Sequence, residues 1–178
     1  MPNPTEAPEH DNDDDATPAR KRPRPGERRL QILQTLASML EQPGAERVTT
    51  AGLAAKIGVS EAALYRHFAS KAQMFEGLIE FIESSMFTLF NQISEREGGG
   101  GEQSRRIVTV LLQFGEKNPG MTRVMVGDAL VFEHERLTAR MNLFFDRVES
   151  QLRQTLRREQ LKALGLIAPL FLFIVISF

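Results

Sequence analysis

Residues 49–81, TTAGLAAKIGVSEAALYRHFASKAQMFEGLIEF, carry the densest structural punctuation in this chain. The hydroxyls of Thr49 and Thr50 can take the first free N–H groups of a helix running through Leu53, Ala54 and Ile57. Gly58, just past the last apolar position, supplies the left-handed backbone that ends this helix, and Val59 can plug the angle to the next one. Ser60 is a second cap, followed by the helix formers Glu61, Ala62, Ala63 and Leu64. Leu64 and Phe68, four apart, fall on a core-facing side, which leaves Tyr65, Arg66 and His67 for solvent or a ligand. Ser70 caps a third helix, and Lys71 at its start adds an ammonium to free N–H groups, a combination that favours phosphate. Two short helices joined in this way are the plan of a DNA-binding helix-turn-helix. An ordinary helical hairpin with a solvated polar face fits the same spacing.

Charge patterning bears on that choice. The formal net charge is −1, yet residues 1–19 hold six acids and no lysine or arginine, whereas residues 20–80 hold ten bases against six acids. Positive charge is concentrated where counterion release from DNA would reward it. Residues 1–26 are rich in Pro, Asp and Arg and too poor in apolar side chains to order themselves, so they read as a disordered tail, acidic and then basic. Arg20, Lys21, Arg22 and Arg24 fit an arm along a neighbouring groove and equally a solubilising run that touches nothing.

The rest of the chain reads as helix. Leu30, Leu33, Leu36, Ala37 and Leu40 make one stripe from residue 27 to 40, stopped by Pro43-Gly44. Met74, Phe75, Leu78, Ile79, Ile82, Met86, Phe90 and Ile93 extend helical spacing from Lys71 to about Glu95. Gly98 to Gly101 then break the pattern and read as a flexible connection between antiparallel helices. Ile107, Val108, Leu111, Leu112 and Phe114 mark a helix ending near Lys117, Asn118-Pro119-Gly120 forces a turn, and a further helix is expected over residues 121–132. Leu137, Met141, Phe144, Phe145, Val148, Leu152 and Leu156 form a last apolar stripe, a core face more readily than a ligand-binding one. The expected architecture is all-α: residues 27–72 as a helix-turn-helix domain and residues 73–158 as a helical bundle.

No constellation of nucleophile and base stands out, the glycine run lacks the lysine and hydroxyl of a phosphate loop, and His10, His67 and His134 are too far apart for a local metal motif. An enzyme, a metal and a cofactor are therefore not expected. With no cysteine, disulfides are excluded, and MPNPTEAPEHDNDDD lacks the order of a secretory leader, so a cytoplasmic protein is the expectation.

The stretch GVSEAALYRHFASKAQMFEGLIEF resembles the DNA-binding domain of the TetR family, with Tyr65-x-x-Phe68-x-x-Lys71 as its typical core. The likeness continues through LIEFIE, LLQFGEKNPGMTRVM and FEHERLTARMNLFFDRVESQLRQTLR, and narrows to that family's nucleoid occlusion branch. The resemblance implies a homodimer on double-stranded chromosomal DNA that antagonises polymerisation of the division protein FtsZ. By the same likeness Thr50, Tyr65, His67 and Lys71 would position the protein on phosphates, with Ser60, Glu61, Ala62 and Arg66 nearer the bases. It also implies an FtsZ-facing groove at Phe81, Leu89, Val110, Gln113 and Lys117. Two of these depart from the branch, Leu89 from an arginine and Gln113 from a glycine, and Phe81 could equally serve as a core aromatic. A ligand-responsive repressor of the same fold is the alternative, and an apolar chamber in the bundle would favour it.

After about residue 158 the sequence leaves the family pattern. LKALGLIAPLFLFIVISF takes the place of the two amphipathic helices that form the family's dimer interface, which puts dimerisation in doubt and suggests an altered reading frame or a truncation. A buried core segment and a membrane-associated anchor are the competing readings, although the apolar run is short for a bilayer span, and Pro169 is expected to interrupt a helix in any of them.

Overall fold

The computed structural model describes residues 26–42, 47–96 and 98–176, with side chains described as far as Leu161. Among these residues the chain is helical throughout: α1 (Glu27–Leu40), α2 (Thr50–Ile57), α3 (Glu61–Tyr65), α4 (Lys71–Glu95), α5 (Gly100–Lys117), α6 (Pro119–Met125), a 3-10 turn (Asp128–Leu130) and α7 (Glu135–Ile176). The tail, its basic arm and Pro43-Gly44 lie outside the described residues.

Local chemistry accounts for the short helices. Thr49 accepts a hydrogen bond from the Gly52 N–H at 3.1 Å and caps α2. At the other end Gly58 takes φ +76°, and the Val59 and Gly58 N–H groups donate to the carbonyls of Ala54 and Ala55 at 3.0 and 3.1 Å, the paired bonds of a Schellman ending. Ser60 caps α3 through Ala63 N–H, and Ser70 caps α4 through Gln73 N–H. None of these helices is long enough to be stable by itself except α4, so the rest depend on packing.

That packing is one continuous core. Ile32, Leu36 and Leu40 of α1 are buried with Leu53 of α2, Leu64 of α3 and Phe68, and the same cluster runs along α4 through Met74, Phe75, Leu78, Ile79, Ile82, Met86 and Phe90 into Phe144 of α7. Helix α1 packs on α2, α4 and α6, while α5 and α7 pack on each other and on α4, so the head and the bundle share a seam. At that seam α6 crosses α1 backbone to backbone. A Cβ on Gly120 would sit 2.0 Å from the Ala37 carbonyl oxygen, and Arg123 donates to the Leu40 carbonyl at 2.9 Å.

Polar rungs join α4 to α7. Arg136 meets Glu76 at 2.7 Å, Arg140 meets Glu83 at 3.1 Å, Arg147 lies 4.0 Å above the Phe87 ring, and Gln151 donates to Ser94 at 3.0 Å. Residue numbers climb together on both sides, which makes the two helices parallel.

Four expectations are corrected. The helix predicted over 121–132 stops at Met125, because Gly127 takes φ +85° and the chain then forms the 3-10 turn instead of another α-helical turn. The glycine run is more than a connection: Gly100 begins α5 and is buried, with the Thr155 carbonyl oxygen 2.4 Å from where a Cβ would stand, and Gly101 N–H donates to Glu159 at 2.6 Å. In the α7 stripe Phe145 and Leu156 are exposed, since a helix that turns Phe144 inward rotates the next residue by about 100°. Finally, α7 is continuous through Pro169. A proline removes one N–H and strains one turn, which can bend a helix without ending it when both flanks stay helical. Side chains from residue 162 onward lie outside the described residues, and with them the competing readings of the apolar tail. Among the described residues no helix is long and apolar enough to cross a membrane.

Candidate nucleic-acid interface

The reading head presents its polar side chains because its apolar ones are used underneath. Leu64 and Phe68 are 0% and 1% exposed, and this burial orients the five-residue α3 so that Ser60, Glu61, Ala62, Tyr65, Arg66 and His67 all face solvent. A ridge of a serine, an acid, a small alanine, a tyrosine, a guanidinium and an imidazole can approach a groove closely and offer both donors and acceptors to base edges and phosphates. Arg66, at the C-terminal end of α3, has the fork that matches guanine.

Thr50 belongs to this surface through a direct bond. Its hydroxyl donates to Glu61 Oε2 at 2.6 Å, tying the first residue of α2 to the first residue of α3. One carboxylate oxygen is thereby occupied, and the second keeps its acceptor capacity.

Lys71 is placed differently. It lines the same small crevice as Val48, Thr49, Thr50 and Met74, at the start of α4, but its ammonium is paired with Glu133 and lies 5.7 Å from the centre of the Phe75 ring. The lysine side chain is 24% exposed and that of Glu133 10%. Of the eight positions expected to meet DNA, seven are gathered on one ridge, and Lys71 stands beside them facing the bundle.

Three contributors escaped the sequence reading. Arg29 of α1 donates to the His67 carbonyl at 2.9 Å and covers the Phe68 ring at 4.0 Å, so it clamps the end of the α3 segment to the helix beneath. Gln73 reaches back to accept from Ala69 N–H at 2.9 Å, one residue before the Ser70 cap, a shifted form of the capping box that the S-x-x-Q spacing signals. Glu133 is 62 residues from Lys71, and no local pattern announces it.

The positions expected to face FtsZ lie on two helices packed against each other. Phe81 and Leu89 are 36% and 39% exposed on α4, Gln113 and Lys117 are exposed on α5, and Val110 is half-buried against the core. Phe81 is thus at the rim of the core and not within it. Val110, Gln113 and Lys117 recur at three and four and share one face of α5. His134 accepts from the Arg136 N–H at 3.3 Å and serves the start of α7, and no cluster among the described residues could hold a metal ion. A cavity of about 300 Å³ opens at the far end of the bundle, lined by Ser94, Arg96, Gln103, Thr155, Arg158 and Glu159 among others, a polar mouth unlike an apolar ligand chamber.

Comparison with known proteins supports the same parts of the chain. The family of bacterial regulatory proteins described as tetR family matches residues 32–78, and a tetracyclin repressor-like C-terminal domain matches residues 103–168, reaching past the departure expected near residue 158. The chain is 56% identical over 136 residues to nucleoid occlusion factor SlmA of Photobacterium profundum, a match covering 76% of this chain and 69% of that protein. It is 55% identical over 141 residues to SlmA of Aliivibrio fischeri, covering 79% and 72%, and 53% identical over 154 residues to SlmA of a Marinomonas species, covering 84% and 78%. In fold it resembles a transcriptional regulator of Aquifex aeolicus, with a TM-score of 0.61, 14% identity and coverage of 81% and 80% of the two chains.

Proposed function

Since the chain belongs to the SlmA nucleoid occlusion factors, a branch of the TetR-type DNA-binding regulators, we propose that it binds specific chromosomal sites as a homodimer and, from there, antagonises FtsZ polymerisation so that no septum forms over the nucleoid. Two reading heads held about one helical turn of DNA apart give the specificity that one head lacks. The observation that carries the DNA half of this reading is the exposed ridge from Ser60 to His67 above buried Leu64 and Phe68. Ser60, Glu61, Ala62 and Arg66 would meet base edges, and Thr50, Tyr65, His67 and Lys71 would meet phosphates. The FtsZ half rests on exposed Phe81 and Leu89 of α4 and on half-buried Val110 and exposed Gln113 and Lys117 of α5, a mixture of apolar and cationic side chains. The place of action is the nucleoid, within the cytoplasm. The polar character of the described cavity speaks for this reading over a ligand-responsive repressor.

The DNA reading has a direct test. On a duplex selected by the protein from a randomised pool, Arg66→Ala should cost about 1–3 kcal/mol of binding and relax the preference at one base pair. Unchanged affinity and unchanged preference would remove α3 from the interface.

A further inference from the structure

The ion pair between Lys71 and Glu133 joins the reading head to the bundle at the point where DNA would arrive. Lys71 opens α4, where free N–H groups and the ammonium form a cationic corner, and it shares a crevice with Thr50, which is bonded to the first residue of α3. Glu133 approaches the corner from the opposite side. Its carboxylate is largely withdrawn from water, and its backbone is tied on both sides: Leu130 N–H donates to Gly127 and Glu133 N–H to Leu130 ahead of α7, and Leu137 N–H to His134 at the start of α7, at 2.9 to 3.0 Å. The pair differs from the other rungs between α4 and α7. Arg136 with Glu76 and Arg140 with Glu83 lie farther down α4, whereas this rung uses a cation at the helix start beside the DNA-facing ridge.

We propose that Glu133 is an affinity-tuning residue for DNA binding: its carboxylate occupies the place of a phosphate at Lys71 and must be exchanged for one when DNA docks. A phosphate and a carboxylate both carry negative charge, and one ammonium between them would hold two anions in repulsion, so the two compete instead of sharing. The exchange has two consequences. The free protein is held below the affinity that its cations would otherwise give on every DNA sequence. In addition, docking frees the connection just ahead of α7 from α4, so that the presence of DNA is felt in the bundle. The proposal rests on the reading that Lys71 meets a phosphate.

The test is a double-mutant cycle on the full chain with a nonspecific duplex of about 20 base pairs, measured as a salt series. Lys71→Ala should weaken binding and lower the salt slope by about 1. Glu133→Gln should tighten binding roughly three- to tenfold, corresponding to about 1 kcal/mol for a released, partly buried ion pair. Glu133→Asp, with a shorter reach, should tighten it in the same direction and guard against an effect of net charge. In the Lys71→Ala background Glu133→Gln should change nothing. Hydrogen exchange at the Glu133 and Leu137 amides should rise when the duplex is added to the wild-type chain. If Lys71→Ala leaves affinity and slope unchanged, the phosphate reading of Lys71 itself fails. If Lys71→Ala weakens binding but Glu133→Gln leaves it equal or weaker, Glu133 merely positions the lysine and the competition is overturned. An effect of Glu133→Gln that persists without Lys71 overturns it as well.

Discussion

Helix α3 and helix α4 meet within five residues of each other and are stabilised in opposite ways. The first has five residues, one of them buried, and stays in place because Leu64 and Phe68 plug into the core and Arg29 holds the His67 carbonyl. The second has 25 residues, nine of them buried, and is held along its length by α1, α5 and α7. The element proposed to meet DNA therefore contributes little to stability, and the element that contributes most is proposed to meet it only at its first residue. Substitutions on the ridge should alter binding and leave folding alone, whereas substitutions beneath it should do both.

Phe68→Ala should break this contrast most strongly. Removing a fully buried aromatic from under α3 should cost about 3–5 kcal/mol in urea unfolding, and DNA binding should fall with it. Retained stability would mean that α3 is not anchored from beneath. Gly120→Ala comes next, because its methyl group would collide with the Ala37 carbonyl and push α6 off α1. A loss of about 1–3 kcal/mol is expected, seen as a lower melting temperature with the ridge itself unaltered. The smallest effect belongs to a region that neither helix uses. Glu102, in the first turn of α5, bonds Arg105 and Arg106 and has its pKa lowered to about 2 from an ordinary 4.5. A carboxylate depressed in the folded state contributes above its unfolded value and loses that contribution as pH falls through the folded one. The slight difference in melting temperature between wild type and Glu102→Gln at neutral pH should therefore disappear between pH 4.5 and about 2. Because the Glu102 side chain stays open to solvent, a large difference at any pH would contradict the assignment.

The same contrast explains what could be read in the sequence. Thr49, Gly58, Ser60 and Ser70 act on their own neighbours, so the caps and turns of the head were legible residue by residue, as were the core stripes of α4 and of α1, except that Leu30, expected in the α1 stripe, is exposed one turn from the helix start. Lys71 was legible as a cation at a helix start, but its partner lies 62 residues further along the chain. Close approaches are equally silent: Gly100 and Gly120 look like chain breakers in sequence and serve as places where one helix touches another's backbone. Gly127 shows the converse error, for a periodic apolar run through Phe132 suggested helix where a single residue with positive φ had already ended it. The residues proposed to face FtsZ came from resemblance alone, since Phe81, Leu89, Val110, Gln113 and Lys117 form no pattern that chemistry would single out.

The central claim is that this reading head serves to place an FtsZ antagonist on DNA. It is tested most directly by sedimenting GTP-driven FtsZ polymers in the presence of the full chain, with and without a duplex selected on it. The account predicts that the polymer fraction falls when protein and selected duplex are both present, falls less with protein alone, and recovers with Phe81→Ala. A polymer fraction that stays the same in all of these mixtures would contradict it.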